Sequence, residues 1–177
     1  MRITRAPGLR VATVVGMLSL LGAAPAWAQT TAATVTVTGG ALSITVAADA
    51  GNLGTQANTV SGTVISGSLG QVQVNDARSA AAGSGWIASV ISTAFTPLTG
   101  ATIGAAAVGY TVGTITKVGT ATYTANDPTH LEGVIAAVTA TGITGDNSAT
   151  WTPTLNVAVA GGKAAGVYSG TITSSVV

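Results

Sequence analysis

Hydrophobic residues recur at every second position in several short stretches of this chain, which is the period of a β-strand with one buried face. In one stretch Trp86, Ala88 and Val90 share a face, and in another Leu155 and Val157 do so. The same alternation appears in residues 34–38, 42–46, 71–74, 86–91, 154–159 and 168–176. These stretches are therefore predicted to be strands.

Clusters of turn-forming residues separate the predicted strands. They are rich in Gly, Asn, Asp, Ser and Pro and lie at residues 49–52, 82–85, 126–128, 145–147 and 161–163. Short strands at this spacing, without long helical patterns between them, are typical of antiparallel sheets. The sequence predicts an all-β fold, an antiparallel β-sandwich of the Ig-like or jelly-roll-like kind.

Three segments allow alternative local structures. Gly39-Gly40 is either a hairpin turn joining residues 34–38 to 42–46 or a looser bend. The Ala-rich residues 101–108 fit a helical turn, but the neighbouring Thr and Gly residues argue against it. In residues 132–140, the β-branched side chains favour a strand.

The first 28 residues have the pattern of a secretory signal peptide. Arg2, Arg5 and Arg10 precede the mostly apolar, uncharged residues 11–21, and Ala26-Trp27-Ala28 provides a cleavage site of the A-x-A type. The apolar run is shorter than the roughly 20 residues that a membrane-spanning helix needs. We therefore predict a cleaved signal peptide at 1–28, a secreted protein, and a single domain at 29–177.

The predicted mature chain has very little charge. Residues 29–177 contain three basic and five acidic residues, a net charge of −2, and no Cys. So few cations disfavour binding to nucleic acids or anionic membranes, and without Cys there is no thiolate ligand or Cys nucleophile. A neutral surface rich in hydroxyl groups gives weak protection against association between sheet edges.

The side chains needed for catalysis or metal binding are scarce. His130 is the one histidine, Asp127 lies three residues before it in a predicted loop, and no G-x-S-x-G motif occurs. A zinc site would have to recruit scattered carboxylates, and no calcium-binding loop motif is present. We interpret His130 as a surface histidine and expect a non-enzymatic protein without metal or cofactor.

Five residues are candidates for a structural or binding site. Asp76 and Arg78 are two positions apart on a predicted strand, so Arg78 is expected to pair with Asp76 or with a carbonyl group near Gly85. Trp86 and Trp151 are expected in the core rather than stacked on a sugar ring. Tyr168 is expected to bury its ring and return its hydroxyl to the main chain, as the tyrosine corner of sandwiches does.

The segments around these residues resemble, in order and spacing, the WxL-domain family of Gram-positive surface proteins. The resemblance spans residues 60–177 and is carried by segments 72–78, 85–90, 151–159 and 165–173. In place of the first Trp-x-Leu motif the chain has Trp86-Ile87-Ala88. The distal motif falls at Ser174-Ser175-Val176 and lacks its Trp.

This resemblance implies a secreted β-protein that attaches non-covalently to the cell wall. It implies that the wall-binding or motif residues are Asp76, Arg78, Trp86, Trp151 and Tyr168. We therefore expect a cell-surface binding or structural module whose partners are peptidoglycan or other surface proteins. The alternative is a self-assembling pilin-like or surface-layer subunit, favoured by low charge and exposed strand edges.

Overall fold

The computed structural model describes residues 32–177, so the predicted signal peptide at 1–28 lies outside the described residues. Residues 37–177 form one compact unit. The described strands are β1 (Leu42–Val46), β2 (Thr63–Ser68), β3 (Val72–Ser92), β4 (Thr96–Pro97), β5 (Val108–Thr111), β6 (Thr116–Ala125), β7 (Ile135–Trp151), β8 (Thr154–Val159), β9 (Tyr168–Ser169) and β10 (Ile172–Val176).

The strands form two main antiparallel sheets. The larger sheet has the order β1-β3-β7-β6, and β10 also pairs with β3. The smaller sheet has the order β2-β8-β5, and β4 and β9 form a separate two-stranded ladder. Strands β1 and β10 pair with opposite ends of the long strand β3, since Leu42 lies opposite Asp76 and Val176 lies opposite Ala88.

One hydrophobic core joins the inner faces of the two main sheets. On β3 the side chains of Val74, Trp86 and Val90 are buried, and on β8 those of Leu155 and Val157 are buried. Burial of this apolar area is the main force that holds the sheets together. The predicted antiparallel all-β sandwich is therefore confirmed, as is the predicted alternation of buried residues in these two strands.

The chain crosses from the larger to the smaller sheet between β7 and β8. Trp151 ends β7 and Thr154 begins β8. Pro153 between them is buried, and its carbonyl accepts a hydrogen bond from the Leu69 N–H at 3.0 Å. A proline fits this position because the corner requires no N–H donor from it.

Residues 34–38 are not a strand, which contradicts the prediction for this segment. Val35 and Val37 are 87% and 79% exposed, and no described strand pairs with this segment. The Gly40 N–H donates to the Ala77 carbonyl, so Gly39-Gly40 runs beside β3 and is the looser bend rather than a hairpin turn. A Cβ atom at Gly39 would collide with the Arg78 carbonyl.

Two further predictions need correction. Residues Ala105–Ala107 form one 3₁₀ turn, and Val108 then begins β5, so the helical turn that the neighbouring Thr and Gly argued against is present. Strand β7 begins at Ile135 and not at residue 132. The strand begins later than predicted because the chain before it is held at Leu131. This residue is fully buried, and its N–H donates to the Ala105 carbonyl at 3.0 Å.

No helix within residues 32–177 has the length and apolar character needed to cross a membrane.

Candidate functional site

The Asp76 carboxylate is fully buried on β3 and is held by Arg78. Arg78 Nε lies 2.8 Å from Asp76 Oδ1, and Arg78 Nη2 lies 2.9 Å from Asp76 Oδ2. The Arg78 main-chain N–H also donates to Asp76 Oδ1 at 3.1 Å. Arg78 Nη2 donates further to the Gly85 carbonyl at 3.1 Å, so the two predicted partners of Arg78 are both confirmed.

Between Asp76 and Trp86, strand β3 leaves regular register with β7. Shifts occur on either side of Ala80 and Ser84, as in β-bulges that re-aim a strand. Ser79 has a positive φ of 53°, and its N–H donates to Asp146 Oδ1 at 2.8 Å. The fork of Arg78 across this irregular segment fixes where Trp86 re-enters the core.

Asn147 joins the ion pair to two aromatic rings, and the sequence analysis did not identify it. It lies opposite Asp76 in the β3–β7 register, and its Nδ2 donates to Asp76 Oδ2 at 3.2 Å. Its Oδ1 accepts hydrogen bonds from Trp86 Nε1 and from the Tyr123 hydroxyl, each at 3.1 Å. We call Asp76, Arg78, Trp86, Tyr123 and Asn147 the Asp76 network.

A signal for Asn147 was present in the sequence. It shares the two-residue phase of Ala149 and Trp151, which places it on the inward face of β7. The neighbouring Asp146 and Gly145 made the segment look like a turn. The pairing of Asn147 with Asp76, 71 positions earlier in the chain, depends on strand register, which the sequence pattern did not reveal.

The electrostatics of the Asp76 network follow from these contacts. The hydrogen bond from the Arg78 side chain holds the pKa of Asp76 below its ordinary value, and the Arg78 N–H and Asn147 act in the same direction against the effect of burial. The hydrogen bond with Asp76 raises the pKa of Arg78. Burial, together with the nearby Asp76 charge, raises the pKa of Tyr123.

The Trp86 ring packs in the core beside Tyr123. Trp86 is 2% exposed, and its ring centroid lies 5.6 Å from that of Tyr123 at an interplanar angle of 56°. This tilted arrangement is favourable for aromatic rings. Lys117 Nζ lies 5.8 Å from the Tyr123 centroid, so the outer side of the tyrosine meets a cation.

Trp151 and Tyr110 form a second buried polar contact, which links the two main sheets. Trp151, at the end of β7, donates its Nε1–H to the Tyr110 hydroxyl on β5 at 3.0 Å. Each residue is 2% exposed. Burial raises the pKa of Tyr110 to about 12, so its hydroxyl stays protonated over the physiological range.

Tyr168 closes a local loop, as predicted. Its hydroxyl donates to the Ala164 carbonyl at 2.9 Å, and its half-buried ring packs against the core. The return of the hydroxyl to the main chain is confirmed. The ring is less buried than expected because β9 contains just two residues and lies at the periphery.

The structure places Trp86 and Trp151 in the core, which confirms the interpretation favoured by the sequence. Neither indole has an exposed face on which a sugar ring can stack. Asp76 is also fully buried, so of the five candidate residues Arg78 and Tyr168 keep the most contact with solvent. The motif residues stabilise the fold in this structure, and a direct contact with the cell wall stays a prediction.

The remaining polar candidates, Asp127 and His130, lie in the segment before β7. Asp127 Oδ1 accepts a hydrogen bond from the Val112 N–H at 2.7 Å, and His130 is exposed in the following loop. No three His, Asp or Glu side chains of this region lie together as metal ligands would. Two shallow depressions of about 290 and 450 Å³ lie beside Val64 and Ala158 of the smaller sheet.

Comparisons with protein-family models, with curated proteins and with solved structures find no match to this chain.

Proposed function

We propose that this protein is an exported, non-enzymatic cell-envelope module that binds the cell wall or other surface proteins without a covalent link. Support for export comes from the signal-peptide pattern of residues 1–28. Support for wall attachment comes from the resemblance to the WxL-domain family. The fold supplies a stable, nearly uncharged sandwich whose surface side chains are largely hydroxyl groups.

The observation that carries the non-enzymatic part of the proposal is the use of the acidic side chains. Four of the five carboxylates accept hydrogen bonds from main-chain N–H groups and thereby hold the main chain at these positions. These pairs are Asp49 with Gly51, Asp76 with Arg78, Asp127 with Val112, and Asp146 with Ser79. These hydrogen bonds give each of the four carboxylates a structural contact, and for Asp76 the hydrogen bonds from Arg78 also hold the pKa below its ordinary value.

The Asp76 network supports the proposal through the fold and not through direct contact. Three of its members, Asp76, Arg78 and Trp86, belong to the segments that resemble the WxL family. In this chain they brace the irregular part of β3 from within. A family motif of this kind would preserve the shape of a binding module while its surface contacts vary.

Sedimentation with purified Gram-positive cell walls tests the proposal. The protein is incubated with washed walls that have been stripped of associated proteins, and the bound fraction is compared with that of a size-matched β-protein of similar charge. We expect enrichment in the wall pellet and release by denaturant without proteolysis. A bound fraction equal to that of the control contradicts the proposal.

Self-assembly is a second candidate function, favoured by a specific feature. The outer edge of β6 pairs with no other described strand, and the alternating residues 34–38 leave Val35 and Val37 exposed. Free edges and unpaired alternating segments can add to the sheet of a neighbouring molecule. Light scattering over a range of protein concentrations tests this, and a monomer at the highest concentration argues against it.

A further inference from the structure

The outer face of the larger sheet carries rows of hydroxyl and carboxamide side chains in register across four strands. In the first row, Thr45 of β1 lies opposite Gln73 of β3, which lies opposite Thr150 of β7, which lies opposite Thr116 of β6. Residues directly opposite each other point to the same side of a sheet. The row therefore runs unbroken across the width of the sheet.

A second row lies one step along the strands. It consists of Ser43, Asn75, Ser148 and Val118. The pairing of β6 with β7 extends the pattern further, and the additional opposed pairs are Thr120 with Thr144, Thr122 with Thr141, and Thr124 with Thr139. We call these rows together the hydroxyl face.

The rows of the hydroxyl face are mostly exposed and uncharged, and the Asp146 carboxylate, which shares the outward phase of Thr144 and Ser148 on β7, accepts hydrogen bonds from Ser79. Thr45, Gln73 and Thr116 are exposed, while Thr150, on a central strand, is half-buried. Lys117, the cation of β6, lies opposite the buried Ala149 and so belongs to the other side of the sheet. The rows of this face contain no acidic or basic side chain.

Most side chains of the hydroxyl face keep their hydrogen-bonding capacity free. Among the described residues, none donates to or accepts from the side chains of Thr45, Gln73, Thr116 or Thr150. The smaller sheet offers a contrast. There Ser66 Oγ donates to Asn156 Oδ1 at 2.8 Å, and Asn156 Nδ2 donates to Thr111 Oγ1 at 3.1 Å, so a similar row satisfies itself internally.

The side chains of the hydroxyl face indicate which class of ligand it binds. Hydroxyl and carboxamide groups both donate and accept, which matches a polymer that bears many hydroxyl groups. An anionic polymer would gain little from a face without cations. Val118 and Ile87, which lies opposite Thr139, are exposed apolar side chains of this face, but they stand in different rows and do not form the clustered anchor that a protein partner needs. Strands about 4.8 Å apart and side chains about 6.7 Å apart along each strand repeat the same groups many times, as suits a polymer.

The twist of the larger sheet further restricts which ligands fit the hydroxyl face. Adjacent strands rotate by about 20–25° relative to each other, so the rows do not lie in one plane. A single flexible chain can follow this surface, whereas a flat crystalline surface would touch few rows. We propose that the hydroxyl face binds extended neutral polysaccharide chains, an assignment that rests on the proposed wall-binding function and names the surface and ligand class for it.

Binding isotherms on three defined probes test this assignment. The probes are intact peptidoglycan sacculi, soluble chitin oligosaccharides, which are neutral and have no stem peptides, and glycan strands freed of stem peptides by an amidase, which carry free lactyl carboxylates and are anionic. The protein is expressed from the full 177-residue sequence. The test variant is Thr45→Val/Thr116→Val/Thr150→Val, which removes three hydroxyl groups of one row and keeps the β-branched shape.

The smaller sheet provides the matched control, Thr111→Val/Thr154→Val, which changes the same residue type on the opposite side of the sandwich. A second test variant, Thr122→Val/Thr124→Val, reports on the same face in case the triple variant folds poorly. Each variant is checked for an unchanged far-ultraviolet circular dichroism spectrum. Because the triple variant loses three hydrogen-bonding groups of one row, it should bind at least about 10-fold more weakly.

The expected result is binding to sacculi and to soluble chitin oligosaccharides, with weaker binding to the anionic freed strands. This binding should be weakened in both test variants and unchanged in the control. If the protein binds sacculi but both test variants bind equally well, the hydroxyl face is not the site, and the wall-binding proposal still stands. If the protein binds sacculi but not soluble chitin oligosaccharides, the ligand is not the neutral glycan and the assignment is overturned. If the protein binds none of the probes, both proposals fail.

Discussion

The indole Nε1–H of Trp86 points at Asn147 Oδ1, 3.1 Å away, inside the core of the larger sheet. The same carboxamide donates from its Nδ2 to the Asp76 carboxylate at 3.2 Å. The Asn147 side chain thus orients the Trp86 ring and also stabilises the buried Asp76 charge. The packing of Trp86 and the ionisation of Asp76 are therefore coupled.

Removing Arg78, the partly exposed partner of the buried Asp76 carboxylate, should destabilise the protein. Arg78→Met leaves the Asp76 carboxylate buried without its main counter-charge, and we expect a loss of about 3 kcal/mol in the free energy of unfolding. Chemical denaturation measures it. The double variant Asp76→Asn/Arg78→Met should lose less than the two single variants added together, and strict additivity would show that the pair is not coupled.

The low pKa of Asp76 makes stability depend on acid. Since the folded-state pKa lies below the ordinary value of 3.8, the unfolded chain takes up the proton first as the pH falls. The stabilisation is present above about pH 4 and is lost as the pH falls through the lower folded-state value. The denaturation midpoint of the wild type should decrease as the pH falls through this range. The midpoint of Asp76→Asn should depend less on pH.

Truncation of Trp86 separates packing from hydrogen bonding. Trp86→Ala should cost about 3–5 kcal/mol because it opens a large cavity in the core. Trp86→Phe keeps a ring but removes the Nε1–H donor to Asn147, and should cost about 1–3 kcal/mol. Equilibrium denaturation of the three proteins provides the comparison. A loss below about 1 kcal/mol in Trp86→Ala would place the ring outside the core in solution.

The Tyr110 hydroxyl should ionise late in an alkaline titration. Burial raises its pKa from 10.0 to about 12, so the absorbance step of the Tyr110 tyrosinate should appear near pH 12 instead of near pH 10. Tyr110→Phe identifies the step by removing it. Because the folded-state pKa is raised, the stability that Tyr110 contributes is complete below about pH 10 and is lost as the pH rises through 12.

Several features of the fold could be predicted from the sequence because they are local. The alternation in residues 86–91 and 154–159 identified the buried faces of β3 and β8, since a strand directs neighbouring side chains to opposite sides. The fork of Arg78 to Asp76 and to the Gly85 carbonyl involves residues within seven positions. The same local reasoning failed for residues 34–38, because an alternating segment becomes a strand only when another strand pairs with it.

Local residue patterns were enough to predict the all-β class, the spacing of the strands, the pairing of Asp76 with Arg78 and the core positions of Trp86 and Trp151. The contacts of Asn147 with Asp76 and of Trp151 with Tyr110 became visible in the folded chain alone, as did the row formed by Thr45, Gln73, Thr150 and Thr116. The reason is physical. Strand period is written in neighbouring residues, but strand order and register depend on packing between segments that are tens of residues apart.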